Sequence, residues 1–504
     1  NNSNNNNNSN KYVKKRKIDS HQSEEDNNTN NKKKNIRRER QAQKPNFLLV
    51  EDLKRFWNLA REKTISTQER DTKIAQIVTK MRGNILQVTL RHDASRAVQC
   101  ILQFGTNEQR RLILNEMAER FYEIAKTPYG HFVVLKAITY CTEESERTLI
   151  INSLRGHFVS LGTNVIGART VETLLQLWPK KLTKSLKAEF YGHKFLLTLS
   201  ESPNGLKFIM DALPNKRDSL LDHMRDLVQR FVDKSLLEFG YVHSLLWEYA
   251  SECIGVPTRL NDLVNLLSDS APKLISTKLG SKVMCIVINN ATAKDRKKIM
   301  KSLKGHVLES LLHDSGHLAI MRLIDVTDDT VNVQRMLLDE IMNTKPTIKY
   351  SASGELIGDQ FPPLIQIIKH QFGRKFLLRL LSPNKRHLEP DEESLFTLES
   401  IAPQTSKKNP LVRRHEHLTY LRLPLLQVVS QYLHYLVLCP TGCPVLFEVI
   451  STYFPIEILN KIILTFSGTY EILDTLNEAQ SKSLEDNNAS NQVDDDNDDD
   501  DDDE

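Results

Sequence analysis

The chain has 504 residues and a formal net charge of +4 at pH 7, and its residues are 39% hydrophobic and 26% charged. Such a length allows several domains or one long array of repeats. No apolar run approaches the roughly 20 residues of a membrane span, and six scattered cysteines are typical of a reduced intracellular protein. We therefore expect no membrane segment, no signal peptide and no disulfide framework.

The two ends of the chain are expected to be disordered. Residues 1–10 are almost all Asn, basic clusters follow within 11–44, and residues 494–504 are nearly all acidic. Neither end has enough apolar surface to offset the entropy of ordering, so we predict disorder at 1–45 and 477–504. The basic clusters are typical of nuclear import signals, with a solvated charge run as the plain alternative. The remainder is mildly basic, which permits a polyanionic partner.

The chain between these ends is built from a repeat. A small residue followed by a helical apolar pattern recurs at intervals of 35 to 40 residues, and we take it as the marker of each repeat. The markers are Ala94, Gly130, Gly167, Gly205, Gly240, Gly280 and Gly316, with weaker ones at Gly373 and Gly442. This spacing indicates one supersecondary unit stacked on copies of itself.

The repeat is predicted to be helical. Apolar residues recur every three to four positions after each marker, as at Val133, Val134, Ala137 and Ile138. Sustained period-two alternation is absent from the sequence, so we expect an all-α fold, an elongated or curved solenoid. Gly or Ala at the marker is expected to let the chain turn tightly into the helix. The repeats are predicted to span 46–340, followed by a divergent helical region with insertions at 341–476.

The stretch RHDASRAVQCILQFG, residues 91–105, carries a resemblance to a known family. Its layout, a small residue followed by two variable, two apolar and one variable residue, resembles the Pumilio-homology (PUF) RNA-binding repeat. The resemblance implies three helices per repeat and a curved or L-shaped α-solenoid of degenerate repeats. It also implies that the first and fifth residues after the marker touch a base edge while the second stacks between bases. Positions i and i+4 share a helix face, with i+1 beside them.

Two repeats fit this base-reading pattern. Ser95, Arg96 and Gln99 match the triplet that the family uses for adenine. Arg169 and Glu172 nearly match the guanine triplet, with Ala in place of the usual Ser at the first position. The resemblance therefore predicts residual base preference in these two repeats.

Elsewhere the pattern is lost, but positive charge is kept. Most fifth positions cannot hydrogen-bond a base edge: Leu135, Met210, Leu245, Met321, Leu378 and Phe447. The second position is basic in five repeats: Arg96, Arg169, Lys207, Lys282 and Lys375. Because phosphate contacts set affinity and base contacts set specificity, we predict binding to RNA, with DNA as a further ligand, at low sequence specificity.

The degeneracy and layout are similar to the Penguin or Puf-A type branch of the family. The resemblance covers roughly residues 47–475. It implies a nucleolar protein that acts on large-subunit pre-rRNA and has pre-ribosomal particle proteins as partners. Regulation of messenger-RNA translation is a close rival, and we expect a monomer. The alternative from a different class is a protein-binding scaffold of the armadillo or HEAT kind, which shares the apolar skeleton without contacting nucleic acid.

No catalytic, cofactor or metal site is expected, and the chain is not predicted to be an enzyme. Cys439 and Cys443 in CPTGC lack a second Cys/His pair at ligand spacing, so buried structural thiols are expected rather than zinc. In RRHEH, His415 and His417 point to different helix faces and do not form a zinc helix. Recurrent histidines near the repeat glycines are expected to pack or cap: His157, His193 and His306.

Overall fold

The computed structural model describes residues 46–62, 65–197, 199, 203–343, 349–350, 356–357, 361–382 and 405–466. The predicted disordered ends lie outside these residues. Backbone contacts divide the chain into two units, 1–249 and 250–504. The boundary predicted near residue 340, between regular and divergent repeats, stays a prediction.

The four repeats from Ala94 to Gly205 each contain a short helix, a middle helix that starts at or near the marker, and a third helix. Two helices precede them, Phe47–Ala60 and Thr67–Met81. The short helices are Ile85–Thr89, Phe121–Ile124, Phe158–Gly162 and His193–Leu196. The middle helices are His92–Phe104, Gly130–Tyr140, Ala168–Leu177, Leu206–Ala212 and Gly240–Cys253, whose last residues belong to the second unit. The third helices are Asn107–Met117, Glu144–Leu154, Lys180–Ala188 and Arg217–Asp233, with 3-10 turns at Ala118–Arg120, Glu189–Tyr191 and Pro214–Lys216.

The second unit has the same three kinds of helix. The short helices are Ala271–Leu274, Val307–Leu312, Pro363–Lys369 and Leu433–Leu438, and the middle helices are Lys278–Asn290, Gly316–Val326, Gly373–Leu381 and Cys443–Tyr453. The third helices are Pro257–Leu267, Ala293–Leu303 and Ile456–Phe466. In the Gly316 repeat the third helix has three segments: Thr330–Val333, the π-helical Gln334–Leu338, and Asp339–Ile341. A 22-residue helix, Pro410–Gln431, follows the Gly373 repeat. The predicted all-α repeat fold is confirmed.

One small exception to the helical pattern occurs in the second unit. Lys349–Tyr350 pairs antiparallel with Leu356–Ile357. The strands have two residues each, too short for the alternation over four to eight residues by which a strand is recognised from sequence.

The marker residues are small because the middle helix begins against the carbonyl end of the short helix. A Cβ built on Gly167 lies 2.7 Å from the Leu161 carbonyl oxygen, and one on Gly316 lies 2.7 Å from that of Ser310. Gly167 has an ordinary helical φ of −66°. At Gly167 and Gly316 the small residue is therefore required by the close approach of two backbone segments, and no left-handed conformation is needed. Gly205 differs, since its φ is +120°.

A second set of glycines does have the left-handed conformation. Such a glycine precedes the short helix in four repeats, and in three of them its amide N–H donates to a glutamate at the end of the same repeat. The pairs are Gly83 with Glu116 at 2.9 Å, Gly156 with Glu189 at 2.7 Å, and Gly305 with Glu340 at 2.7 Å. These carboxylates satisfy N–H groups at the start of the short helix that have no helical partner.

The histidines beside these glycines do not cap. Neither His157 nor His306 makes a side-chain capping hydrogen bond, although each is an N-cap residue. His157 instead packs flat on Tyr122, with ring centroids 3.7 Å apart. The packing role predicted for the recurrent histidines therefore holds for His157, and capping is supplied by the glutamates.

A hydrogen-bond acceptor recurs at the residue three positions before the marker, and we call this residue the marker cap. Its side chain accepts a hydrogen bond from the marker's backbone N–H, as an N-cap side chain does. The acceptors are Thr127 (3.1 Å), Asn164 (2.9 Å), Thr277 (3.1 Å), His313 (3.3 Å) and His370 (3.5 Å). Five middle helices thus start from one geometry with three residue types.

The expectation of buried structural thiols is wrong for the CPTGC pair, since Cys439 is half-buried and Cys443 is exposed. Burial raises the pKa of the Cys439 thiol. Hydrogen bonds from the Thr441 hydroxyl, from the backbone N–H groups of Gly442 and Thr441, and from Tyr435 outweigh burial and hold the pKa below its usual value. The Thr441 hydroxyl also donates to the Lys369 carbonyl oxygen at 2.7 Å. Since a hydroxyl has one proton, the two backbone N–H groups are the donors that remain available to the Cys439 sulfur at all times.

We expect Cys439 to be alkylated before the buried cysteines at pH 7.5, because the thiolate is the reactive form. Burial raises the pKa of Cys100 to about 11 and those of Cys141 and Cys285 to about 12. Peptide mass mapping after brief iodoacetamide treatment measures the order, with the denatured chain as the control in which all sites react alike. Labelling of Cys141 as fast as that of Cys439 in the folded chain contradicts the prediction.

Candidate nucleic-acid interface

Three consecutive middle helices of the first unit lie side by side. Helix His92–Phe104 packs between Phe47–Ala60 and Gly130–Tyr140, which in turn packs against Ala168–Leu177. Each buries one apolar stripe, in the first case at Ala94, Ala97, Val98 and Ile101. Burying a large aliphatic side chain stabilises by about 1.5–3 kcal/mol, so this stripe fixes the rotation of each helix and with it the side chains on the opposite side.

The second position after the marker is exposed in all four first-unit repeats from Ala94 to Gly205. These side chains are Arg96, Phe132, Arg169 and Lys207, and we call them the middle-helix face. Phe132 is 47% exposed. The sequence prediction that these positions point outward therefore agrees with the structure for the three cations it named here. Their binding to nucleic acid stays a prediction.

An aromatic residue that sequence reasoning missed lies beside this face. The guanidinium of Arg96 is 4.8 Å from the ring centroid of Trp57, and that of Arg61 is also 4.8 Å away. Trp57 precedes the first marker, so the repeat pattern gave no reason to select it. The available signal was a lone Trp among basic residues in KRFWNLAR. Arginine over an indole ring forms a favourable cation–π contact, which holds Arg96 in place on the face.

The base-reading positions are less open than the sequence suggested. Ser95 is buried and its hydroxyl donates to the His92 carbonyl at 3.0 Å, whereas Gln99 is half-buried. Glu172 accepts the backbone N–H groups of Gly240 at 3.1 Å and Tyr241 at 2.9 Å. Two predicted orientations are thereby corrected: the Ser95 hydroxyl satisfies its own helix, and the Glu172 carboxylate caps another one.

The two cations predicted in the second unit are covered. Lys282 is half-buried, and Lys375 is 9% exposed with its ammonium 5.5 Å from the Phe372 ring centroid. Middle helices there are buried on most sides; Gly316–Val326 buries ten of its eleven residues. The expectation of an open basic face at Lys282 and Lys375 is corrected accordingly.

Neither a metal-binding cluster nor a membrane-spanning helix occurs in the residues that the structure describes. Among them, no group of three or more His, Cys, Asp or Glu side chains is arranged to hold a metal ion. Within the same residues, no helix combines the length and apolar character needed to cross a membrane.

Comparison with known families gives two matches. The model of the Pumilio-family RNA-binding repeat matches residues 94–118 and 120–154. The model of the CPL (NUC119) domain matches residues 369–490. The first match covers the repeats of Ala94 and Gly130, and the second covers residues 369–476 of the region predicted to be divergent.

Relatives of the chain carry Pumilio names. It is 27% identical over 387 residues to Pumilio homology domain family member 6 of Schizosaccharomyces pombe, which covers 76% of this chain and 57% of the relative. It is 24% identical over 422 residues to human Pumilio homolog 3, with 83% of this chain and 61% of the relative covered. The chain therefore spans less than two thirds of the length of these curated relatives.

The fold resembles that of solved structures. The crystal structure of human Puf-A matches with a TM-score of 0.72 at 24% identity, over 81% of this chain and 76% of the other. The structure of human Puf-A in complex with DNA matches with a TM-score of 0.71. These matches show Pumilio-family repeats at residues 94–118 and 120–154, a CPL domain at residues 369–490, and a fold similar to that of human Puf-A.

Proposed function

We propose that the chain binds single-stranded and structured RNA, and also DNA, mainly through phosphate contacts and with little sequence discrimination. The observation that carries this proposal is the middle-helix face, on which Arg96, Arg169 and Lys207 are exposed at equivalent positions. The two polar groups best suited to read a base edge, Ser95 and Glu172, are engaged within the fold. A face with exposed cations and few available base-edge partners favours affinity over specificity.

The comparisons support this proposal. The repeats of Ala94 and Gly130 match an RNA-binding repeat model, and human Puf-A has been crystallised with DNA. The chain is proposed to act as a binding protein and not as an enzyme.

Replacing Arg96, Arg169 and Lys207 together with Gln should weaken binding to unrelated RNA sequences by the same factor. Since each phosphate contact releases condensed counterions, the slope of log affinity against log salt should fall by about 2 for a single strand. Fluorescence anisotropy with several labelled 20-nucleotide RNAs and one DNA, across a salt series, measures both quantities.

The matched control removes three exposed cations from helices of the same unit other than the middle helices, Lys73, Arg111 and Arg225. It should leave affinity within about twofold, because a charge far from the ligand is screened at physiological salt. A preference of the wild-type chain above about 1,000-fold for one short motif contradicts low specificity, since specific readers reach that range. No binding at all favours the protein-binding scaffold of the armadillo or HEAT kind.

We further propose that the chain acts in the nucleus, chiefly the nucleolus, on large-subunit pre-rRNA within pre-ribosomal particles. The basic clusters within residues 11–44 support import, and the Puf-A type fold supports the assignment. Crosslinking of bound RNA in cells followed by sequencing should recover pre-rRNA. Recovery of messenger untranslated regions that share one motif, with a cytoplasmic tagged protein, favours the rival role in translational regulation.

A further inference from the structure

The regular stacking of middle helices is interrupted after Ala168–Leu177. The Glu172 carboxylate passes over the next repeat and binds the first two amide groups of helix Gly240–Cys253. The Tyr241 hydroxyl, on the same helix, donates to the Gly162 carbonyl at 2.5 Å and so makes a second link between the same two repeats. The Gly205 repeat lies between these two helices in the chain, and its middle helix has only seven residues.

A cleft of about 590 Å³ opens at this interruption. One wall is the third helix Lys180–Ala188, and the other is formed by Pro203–Gly205 and the first turn of Gly240–Cys253. Four lysines line it: Lys180, Lys181, Lys184 and Lys187. Their spacing of one, four and seven residues places them on one side of the helix.

Two glutamates also line or border the cleft, but both are engaged. Glu248 accepts from Lys187 at 2.7 Å, from the Tyr191 hydroxyl at 2.7 Å and from the Leu206 amide at 2.9 Å. Glu172 holds the two amides described above. Among the described residues, Lys180, Lys181 and Lys184 have no acidic partner, and the first two are exposed. Four lysines therefore face two carboxylates on one concave surface, and the net charge of about +2 favours an anion.

We propose that this cleft is a second RNA-binding site, which holds the phosphodiester backbone of a single strand as it leaves the middle-helix face. The proposal rests on the proposed function. Helix Ala168–Leu177 joins the two sites, because Arg169 is on the face and Gln176 lines the cleft, about 10 Å further along the helix axis. The volume is in the range of small-ligand pockets and suits one or two nucleotides of a single strand, not a duplex.

Lys187 is left intact in the test because its ion pair with Glu248 holds the cleft together. The cleft variant is Lys180→Gln, Lys181→Gln and Lys184→Gln in the full chain. We expect about tenfold weaker binding of a 20-nucleotide single strand near physiological salt and a salt slope lower by about 2. Binding of an RNA duplex should change less than twofold.

The matched control is Lys294→Gln, Lys297→Gln and Lys301→Gln, which removes three exposed lysines from the third helix Ala293–Leu303. It should bind the single strand within twofold of wild type. Circular dichroism and thermal unfolding establish that both variants are folded. Equal losses in the two variants overturn the proposal, because bulk charge then explains them, and so does an unchanged single-strand affinity of the cleft variant.

The outcomes separate this proposal from the proposed function. Wild-type binding that depends on Arg96, Arg169 and Lys207 but not on the cleft lysines overturns the second site and leaves the proposed function in place. Binding of an Asp-rich peptide that is lost in the cleft variant, with single-strand RNA affinity unchanged, overturns the RNA assignment and identifies an acidic-peptide site. Absence of any RNA binding by the wild-type chain overturns both.

Discussion

Replacing Arg413 with methionine is expected to lower the free energy of unfolding of the second unit by about 1–3 kcal/mol, the cost of leaving buried hydrogen-bond acceptors without their donor. Arg413 is 3% exposed. Its guanidinium donates to the Asp328 carboxylate at 2.7 Å, to the Lys408 carbonyl at 2.9 Å, and to the Ser406 hydroxyl and the Asp325 carbonyl. One side chain thus ties the start of helix Pro410–Gln431 to the end of Gly316–Val326.

The carboxylate at the centre of this cluster amplifies the effect. Burial raises the pKa of Asp328, but hydrogen bonds from the Lys407 amide, Arg413 and Ser406 outweigh burial and lower it to about 2. Without Arg413 this charge loses its cationic partner. A second change, Asp328→Asn, should recover part of the loss, and the double-mutant cycle should give a coupling of about 0.5–3 kcal/mol.

Chemical denaturation gives the stability of each variant, and hydrogen exchange locates the loss at helix Pro410–Gln431. The control is Arg422→Met, an exposed position on the same helix, which should change stability by no more than about 0.5 kcal/mol. A loss below about 1 kcal/mol for Arg413→Met means that desolvation cancels the attraction, as it does in many buried ion pairs.

Acidification is expected to destabilise the second unit, and His417→Leu should remove much of that sensitivity. Burial, and next the charge of Arg413, lower the pKa of His417 to about 4. Neither ring nitrogen has a hydrogen-bond partner among the described residues. The unfolded chain, with a pKa near 6.5, binds a proton that the folded chain excludes. Stability is therefore complete above about pH 6.5 and is lost as the pH falls towards 4.

At pH 5 this linkage amounts to about 2 kcal/mol, at 1.36 kcal/mol per pKa unit. We expect His417→Leu to unfold at higher denaturant concentration than wild type at pH 5, and by a smaller margin at pH 7.5. The matched control is His415→Leu, an exposed histidine two residues earlier on the same helix. Equal pH profiles for His417→Leu and wild type contradict the assignment.

The repeat architecture could be predicted from the sequence because its requirement is local and steric. A middle helix that starts against the Leu161 carbonyl needs a small residue at Gly167, and the same constraint recurs at Gly316. Marker spacing therefore reports the stacking period directly. The exposure of Arg96 and Arg169 follows from the same periodicity, since the buried stripe fixes which side of each helix remains open.

The rest depends on contacts between residues distant in sequence. Glu172 is 68 residues from Gly240, so its capping role is invisible in the repeat that contains it. Lys375 is on a helix of the expected pattern, but it is buried in the fold. The lysine cleft is lined by residues from helix Lys180–Ala188 and from the start of helix Gly240–Cys253, which belong to different repeats. The periodicity of the sequence thus predicts the helices, whereas the contacts between distant repeats determine which side chains are capped, buried or exposed.

The marker cap has a consequence for how such proteins are recognised. The position requires a lone pair aimed at one amide, and a hydroxyl, a carboxamide oxygen and an imidazole nitrogen all supply it. Residue identity can therefore change there while the backbone stays the same, and a search scored on amino-acid type loses the signal at His313 and His370. A search scored on acceptor capacity three residues before a small residue, repeated every 35 to 40 positions, should retrieve repeats that composition conceals.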